Sequence, residues 1–121
     1  MTMSLTKKQL LAELVCTKPE KLKDQVFGQD AWVKPVSEFQ RSRRLAALYG
    51  KDGEVSREAI RKARLYTIVD HLCDQNGENL FKESDIKDLM ELDALKLDVV
   101  IGCIEQWVSS REGKILGGSK K

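Results

Sequence analysis

Asp74-Gln75-Asn76-Gly77-Glu78-Asn79-Leu80-Phe81 separates a long amphipathic run ending near Cys73 from an acidic run beginning near Ser84. Its Asp-x-Asn-Gly core resembles a calcium loop, and the spacing tests that idea. With Gly77 in the sixth place, the third and fifth ligands fall on Asp74 and Asn76, and the twelfth falls on Glu83. The first falls on Leu72, which has no side-chain oxygen, and Asn79 stands where an apolar residue is usual after the glycine. The ion-site reading fails at those two positions. Asn76 and Gly77, both tolerant of positive φ, read instead as a tight structural turn, with Leu80 and Phe81 dropping back into the core as its anchor.

Upstream of the turn, Ser56 caps a helix expected to reach about Cys73. Leu65, Ile68, Val69 and Leu72 recur at spacings of three, one and three, which places them on one core-facing stripe. Arg57, Arg61, Lys62 and Arg64 decorate its earlier turns. The single histidine, His71, adjoins the stripe, and no motif supplies the nucleophile or second carboxylate that a catalytic base would need.

Downstream, Ser84-Asp85-Ile86-Lys87-Asp88-Leu89-Met90 reads as a short helix with acidic residues in its first turn, where the macrodipole favours them. Asp93 caps a last helix expected to run to about Ser109. Its Leu97, Val100, Ile101, Ile104, Trp107 and Val108 form the widest apolar surface of the chain. Such a face is buried on both sides, or buries one and presents the other, with Trp107 and Val108, to a partner. Beyond Arg111 the composition turns to Gly, Ser and Lys. This predicts a single domain over 1–112 and a flexible basic tail over 113–121.

In the first half, Thr6-Lys7-Lys8-Gln9 is a capping box ahead of a short helix striped by Leu10, Leu11, Leu14 and Val15, which Pro19 closes. Lys21 to Val36 changes period and predicts two short strands joined at a Gly28-Gln29-Asp30 turn. Pro35, lacking an amide donor, predicts that the second strand lies at an edge. Ser37-Glu38-Phe39-Gln40 is a second capping box, opening a basic helix that carries Arg41, Arg43 and Arg44 and stops at Gly50. Phe39, Leu45, Ala46, Ala47, Leu48 and Tyr49 supply its apolar face. Lys51-Asp52-Gly53 reads as a loop. The fold class is therefore α+β in a single domain: mainly α, about five helices, with a small β-hairpin before the second.

A chain of 121 residues, 41% hydrophobic and 33% charged, suits one domain with a real core. No run of about 18 apolar residues is present to span a membrane, and residues 1–9 lack the apolar centre of a secretory signal. Cys16, Cys73 and Cys103 are odd in number, widely spaced and set in apolar helical patterns, which predicts buried thiols rather than disulfides. With no Cys-x-x-Cys and one histidine, no zinc site is expected. No phosphate loop, dinucleotide fingerprint, nucleophile elbow or metalloprotease motif occurs, so neither cofactor nor catalytic residue is nominated.

The net charge of +2 is unevenly placed. Residues 1–64 carry 14 Lys and Arg against 8 Asp and Glu, a net of +6; residues 65–121 carry 7 against 11, a net of −4. A basic half and an acidic half attract each other between copies. The residues nominated for self-association are Arg41, Arg43, Arg44, Arg57 and Arg61 on the basic side and Glu83, Asp85, Asp88 and Asp93 on the acidic side. The same arginines on phosphates define the alternative, a small DNA-binding or virion head-tail connector domain. The acidic half and the lack of helix-turn-helix spacing weigh against it.

The ordered series of elements resembles the short tail assembly chaperones of long-tailed, non-contractile bacteriophages. The resemblance runs from Leu5-Thr6-Lys7-Lys8-Gln9-Leu10-Leu11-Ala12, through Trp32-Val33-Lys34-Pro35-Val36-Ser37-Glu38-Phe39-Gln40-Arg41, to Ala63-Arg64-Leu65-Tyr66-Thr67-Ile68-Val69. It continues over the Asp74–Phe81 turn, the Phe81-x-x-x-Asp85 segment, Leu89-x-x-Leu92 and the helix to Trp107. Pro35 departs from it, since the family usually carries an acidic residue there. The resemblance implies a non-enzymatic protein that forms a ring or spiral of copies in the host cytoplasm. It implies that these copies coat the tape measure protein while tail tube subunits assemble, and that they are absent from the finished virion. It also implies a longer frameshifted form that reaches the tape measure protein; Gly113-Lys114 and Lys120-Lys121 are dipeptides that slippery codons encode. Neither nucleic acid nor membrane is an expected partner.

Overall fold

The helix preceding the turn, α3 (Arg57–His71), is the element on which the others pack, and every residue from Leu65 to His71 is buried. The computed structural model describes residues 4–15, 18–49 and 53–117. Among these it contains α1 (Lys7–Leu14), β1 (Glu20–Lys21), β2 (Trp32–Val33), α2 (Glu38–Leu48), α3, β3 (Leu72–Cys73), α4 (Ile86–Leu89) and α5 (Ala94–Gly117). A single turn of 3-10 helix, Glu83–Asp85, leads into α4. The architecture is α+β: helices α2, α4 and α5 lie on α3, and a small antiparallel sheet closes one end.

The helix starts follow the local chemistry. Thr6 Oγ1 accepts from the Gln9 amide at 3.1 Å while Gln9 Oε1 accepts from the Thr6 amide at 3.0 Å. Ser37 and Gln40 repeat the box at 3.2 and 2.9 Å. Ser56 Oγ accepts from Ala59 N at 3.0 Å, and Asp93 Oδ1 accepts from Leu95 N at 3.0 Å and Lys96 N at 3.2 Å. Each side chain satisfies amides that the first helical turn leaves without a carbonyl.

The sheet departs from the sequence reading in three ways. The first strand begins one residue earlier, at Glu20, and the turn is one residue earlier. Phe27 (φ 51°) and Gly28 (φ 76°) take successive left-handed conformations between Val26 and Gln29, whose backbones pair at 2.8 and 3.0 Å. Two consecutive positive φ angles match the right-handed twist of the strands, so Phe27 belongs to the turn and not to a strand. A third strand is present as well. α3 ends at His71, and Leu72–Cys73 pairs antiparallel with β2, giving the order β1-β2-β3. Strand β2 is therefore central, not an edge. Pro35 is accommodated because the ladder ends before it, the last amide being Lys34 N, which donates to His71 O at 3.0 Å.

The core joins Leu22 and Val33 from the sheet region, Leu65, Ile68 and Val69 from α3, Ile86 and Leu89 from α4, and Ile101 and Ile104 from α5. The α3 stripe is as expected except that Leu72, half-buried, has left the helix. Two further expectations are corrected. Phe81 packs against the core, but Leu80 is exposed, because the chain returns as an extended bridge opposite Cys73 and alternate side chains point away. The boundary at 112–113 falls inside α5, which runs on to Gly117. Cys73 is buried and Cys103 half-buried, both as free thiols. Cys16, the Gly50 stop, Lys51 and Asp52 of the following loop, and residues 118–121 of the tail lie outside the described residues. Among the described residues, no helix is long and apolar enough to cross a membrane.

Candidate interaction surfaces

The 74–81 turn is built as a closed hairpin. Gly77 N donates to Asp74 O at 3.0 Å and Asp74 N donates to Glu78 O at 2.9 Å, with Gly77 at φ 90°. Asp74 Oδ1 accepts from the amides of Asn76 and Glu78 at 2.8 and 3.0 Å, so its carboxylate is committed to the turn's own backbone. Asn76 does not take positive φ; Gly77 alone does. Two residues that the sequence reading passed over hold the turn in place. Asn79 Nδ2 donates to Val69 O at 2.6 Å, and Lys34 Nζ donates to Gly77 O at 2.7 Å and Asn79 Oδ1 at 2.6 Å. Residues 43 and 45 positions apart cannot be paired from sequence spacing.

The charges nominated for contact between copies are partly used within the chain. Arg43 Nη2 donates to Asp70 Oδ1, Arg43 Nη1 lies 3.8 Å from Glu83 Oε1, and the Arg43 guanidinium stacks 5.1 Å from the centre of the Tyr66 ring. The Tyr66 hydroxyl donates to Glu83 Oε2. Arg43 and Glu83 therefore leave the proposed intermolecular set, because the buried Asp70 carboxylate needs the cation more than solvent does. Arg64 also pairs with Asp98 at 2.8 Å, a second link between the basic and acidic halves of one chain. Asp85 Oδ2 accepts from Lys82 N at 2.7 Å and Asp93 caps α5, so both serve helix starts. Among the described residues, the side chains of Arg41, Arg44, Arg57, Arg61 and Asp88 form no ion pair or hydrogen bond.

The environment of this cluster shifts its protonation. Burial raises the Asp70 carboxyl despite Arg43, and burial with the Glu83 hydrogen bond raises the Tyr66 phenol to about 12. Burial lowers His71, whose Nδ1 donates to Lys34 O at 2.8 Å and whose ring meets Trp107 edge-on at 6.2 Å. The one available signal for this cluster was Asp70 itself, a carboxylate directly after Ile68 and Val69 in an apolar run.

Two grooves flank the body. One, about 520 Å³, lies between α2, α3 and α4, lined among others by Ala47, Lys62, Tyr66, Glu83 and Met90. The other, about 430 Å³, runs beside α5, with Lys21, Lys23, Trp107, Arg111 and Lys114 on its walls. Trp107, nominated to face a partner, is partly buried against the core and also lines this second groove; Val108 is exposed.

The larger apolar surfaces lie elsewhere. Helix α1 has no buried residue, and Leu10, Leu11 and Leu14 are exposed. Helix α2 departs in part from expectation: Arg43 and Ala47 lie toward α3 and Leu48 is half-buried, but Phe39, 75% exposed, Leu45 and Tyr49 are exposed. Along α5, Ile101 and Ile104 are buried, whereas Leu95, Val99, Ile115 and Leu116 are exposed.

No family model matches the chain, and no curated protein or solved structure matches it either.

Proposed function

We propose that the chain is a non-enzymatic tail assembly chaperone that self-associates into a ring or spiral and keeps the tape measure protein soluble while the tail tube forms. The observation that carries this reading is the exposed apolar surface on three helices, α1, α2 and α5, set beside charged flanks. A domain with a well-packed core has no internal use for so much uncovered Leu, Phe and Val, and such surfaces serve association with other chains. The ordered series of motifs supports the same reading. On it, the protein works in the host cytoplasm, acts in many copies, is left out of the virion, and reaches the tape measure protein directly or through a longer frameshifted form. Contact with tail tube subunits belongs to the same proposal. The basic half offers less to a nucleic acid than its composition suggested, since Arg43, Lys62 and Arg64 each pair with a carboxylate.

Co-expression with the tape measure protein of the tail it serves is the direct test. The expected result is a soluble complex that co-purifies. A tape measure protein that stays equally insoluble with and without this chain would remove the chaperone reading.

A further inference from the structure

Helix α1 is eight residues long, buries none of them, and carries Lys7, Leu10, Leu11 and Leu14 on one side. A helix of about 12 Å with an uncovered apolar stripe is marginal by itself and needs a surface to lie on. Its own chain does not bury it. A matching surface exists on α5. Leu95, Val99 and Gly102, spaced by four and three, form an exposed line on the side of the helix opposite the buried Ile104. This line spans about 10 Å, close to the length of α1. Nothing lies within 4 Å above Gly102, so a second helix can approach the backbone there.

The charges agree. Lys7 and Lys8 lie on the first turn of α1, and no acidic residue is among them. Glu105 flanks the α5 line, as does Asp98, which already pairs with Arg64 in its own chain, and residues 83–105 carry 7 acidic against 2 basic side chains. We infer that α1 of one copy docks along Leu95-Val99-Gly102 of the next, with its lysines toward that acidic flank. This rests on the self-association proposed above and names the surfaces that make it. Arm and acceptor are different surfaces, so the contact is head-to-tail and propagates from copy to copy, closing into a ring or running on as a spiral.

Sedimentation velocity over a concentration series tests the inference with the full chain, Leu10→Asp/Leu14→Asp, Val99→Asp, and a 1:1 mixture of the two variants. All three substituted positions are exposed, so far-UV circular dichroism should match the parent. The parent is expected to assemble, and each variant alone to need at least about tenfold more protein to do so. The mixture should stop at a 1:1 pair, because each variant retains the one surface that the other lacks. A variant that assembles like the parent, or a mixture that stays monomeric, overturns the arm contact while leaving self-association intact. A parent that is monomeric throughout overturns both.

Discussion

Lys34 Nζ lies 2.6 Å from Oδ1 of Asn79, a residue 45 positions further along the chain. The same ammonium reaches Gly77 O at 2.7 Å, and Asn79 passes the link on to Val69 O in the central helix. One lysine thus ties strand β2 to the hairpin that follows α3. Lys34→Met should destabilise the protein by about 1–2 kcal/mol, because both acceptors lose a charged donor. Urea unfolding measures this, and a change within error would show that water replaces the ammonium without loss.

Phe27 holds a left-handed conformation that bulky residues avoid, at the tip of the β1–β2 hairpin, and its ring is largely exposed. Little packing is lost on removing it, while Asn-Gly is the preferred pair for such a turn. Phe27→Asn should therefore raise stability by about 1 kcal/mol. A thermal melt that shows a loss instead would mean the ring makes contacts that matter more than its backbone strain.

Asp70 is 2% exposed and leans on Arg43. Arg43→Met leaves that carboxylate buried without its cation and should cost about 3 kcal/mol or more. Adding Asp70→Leu should recover part of the loss, since no charge is then stranded. Equal destabilisation in the single and double variants, measured by denaturant titration, would rule out the stranded charge as the cause.

His71 titrates below its ordinary 6.5 because it is buried, with Arg44 and Arg111 adding to the effect. A depressed folded value means that the unfolded chain takes up the proton first. The stability His71 contributes is complete above pH 6.5 and declines as pH falls below it toward the folded value, with a slope of at most about 1.4 kcal/mol per pH unit. Asp70, whose folded value is raised above 3.8, acts in the opposite sense: its contribution is complete below 3.8 and declines as pH rises through the folded value. His71→Gln should flatten the profile just below pH 6.5. A profile as steep as the parent's would assign the dependence to another group.

Much of the fold was legible where the deciding chemistry is local. The two Ser/Thr-x-x-Gln boxes, Ser56, Asp93 and the Asn76-Gly77 turn involve groups within about four residues of one another. The α3 stripe was legible because helical period alone aligns Leu65, Ile68 and Val69. The candidate surfaces were less so. Arg43 and Glu83 read as free surface charges until a partner 27 residues after Arg43, Asp70, drew the arginine inward.

Sequence by itself determined where helices start, where the chain turns, and that basic and acidic halves are separate. Only the tertiary structure decided which side of each helix is inside. Leu72–Cys73 became a strand because β2 offered it a ladder, and α2 turned Arg43 inward because the buried Asp70 required a cation. Caps and turns are settled by neighbours along the chain, whereas the burial of a face depends on what remote segments bring to it. That is why the exposed stripes of α1 and α5, indistinguishable in sequence from core stripes, emerged as surfaces only once the core was seen to be complete without them.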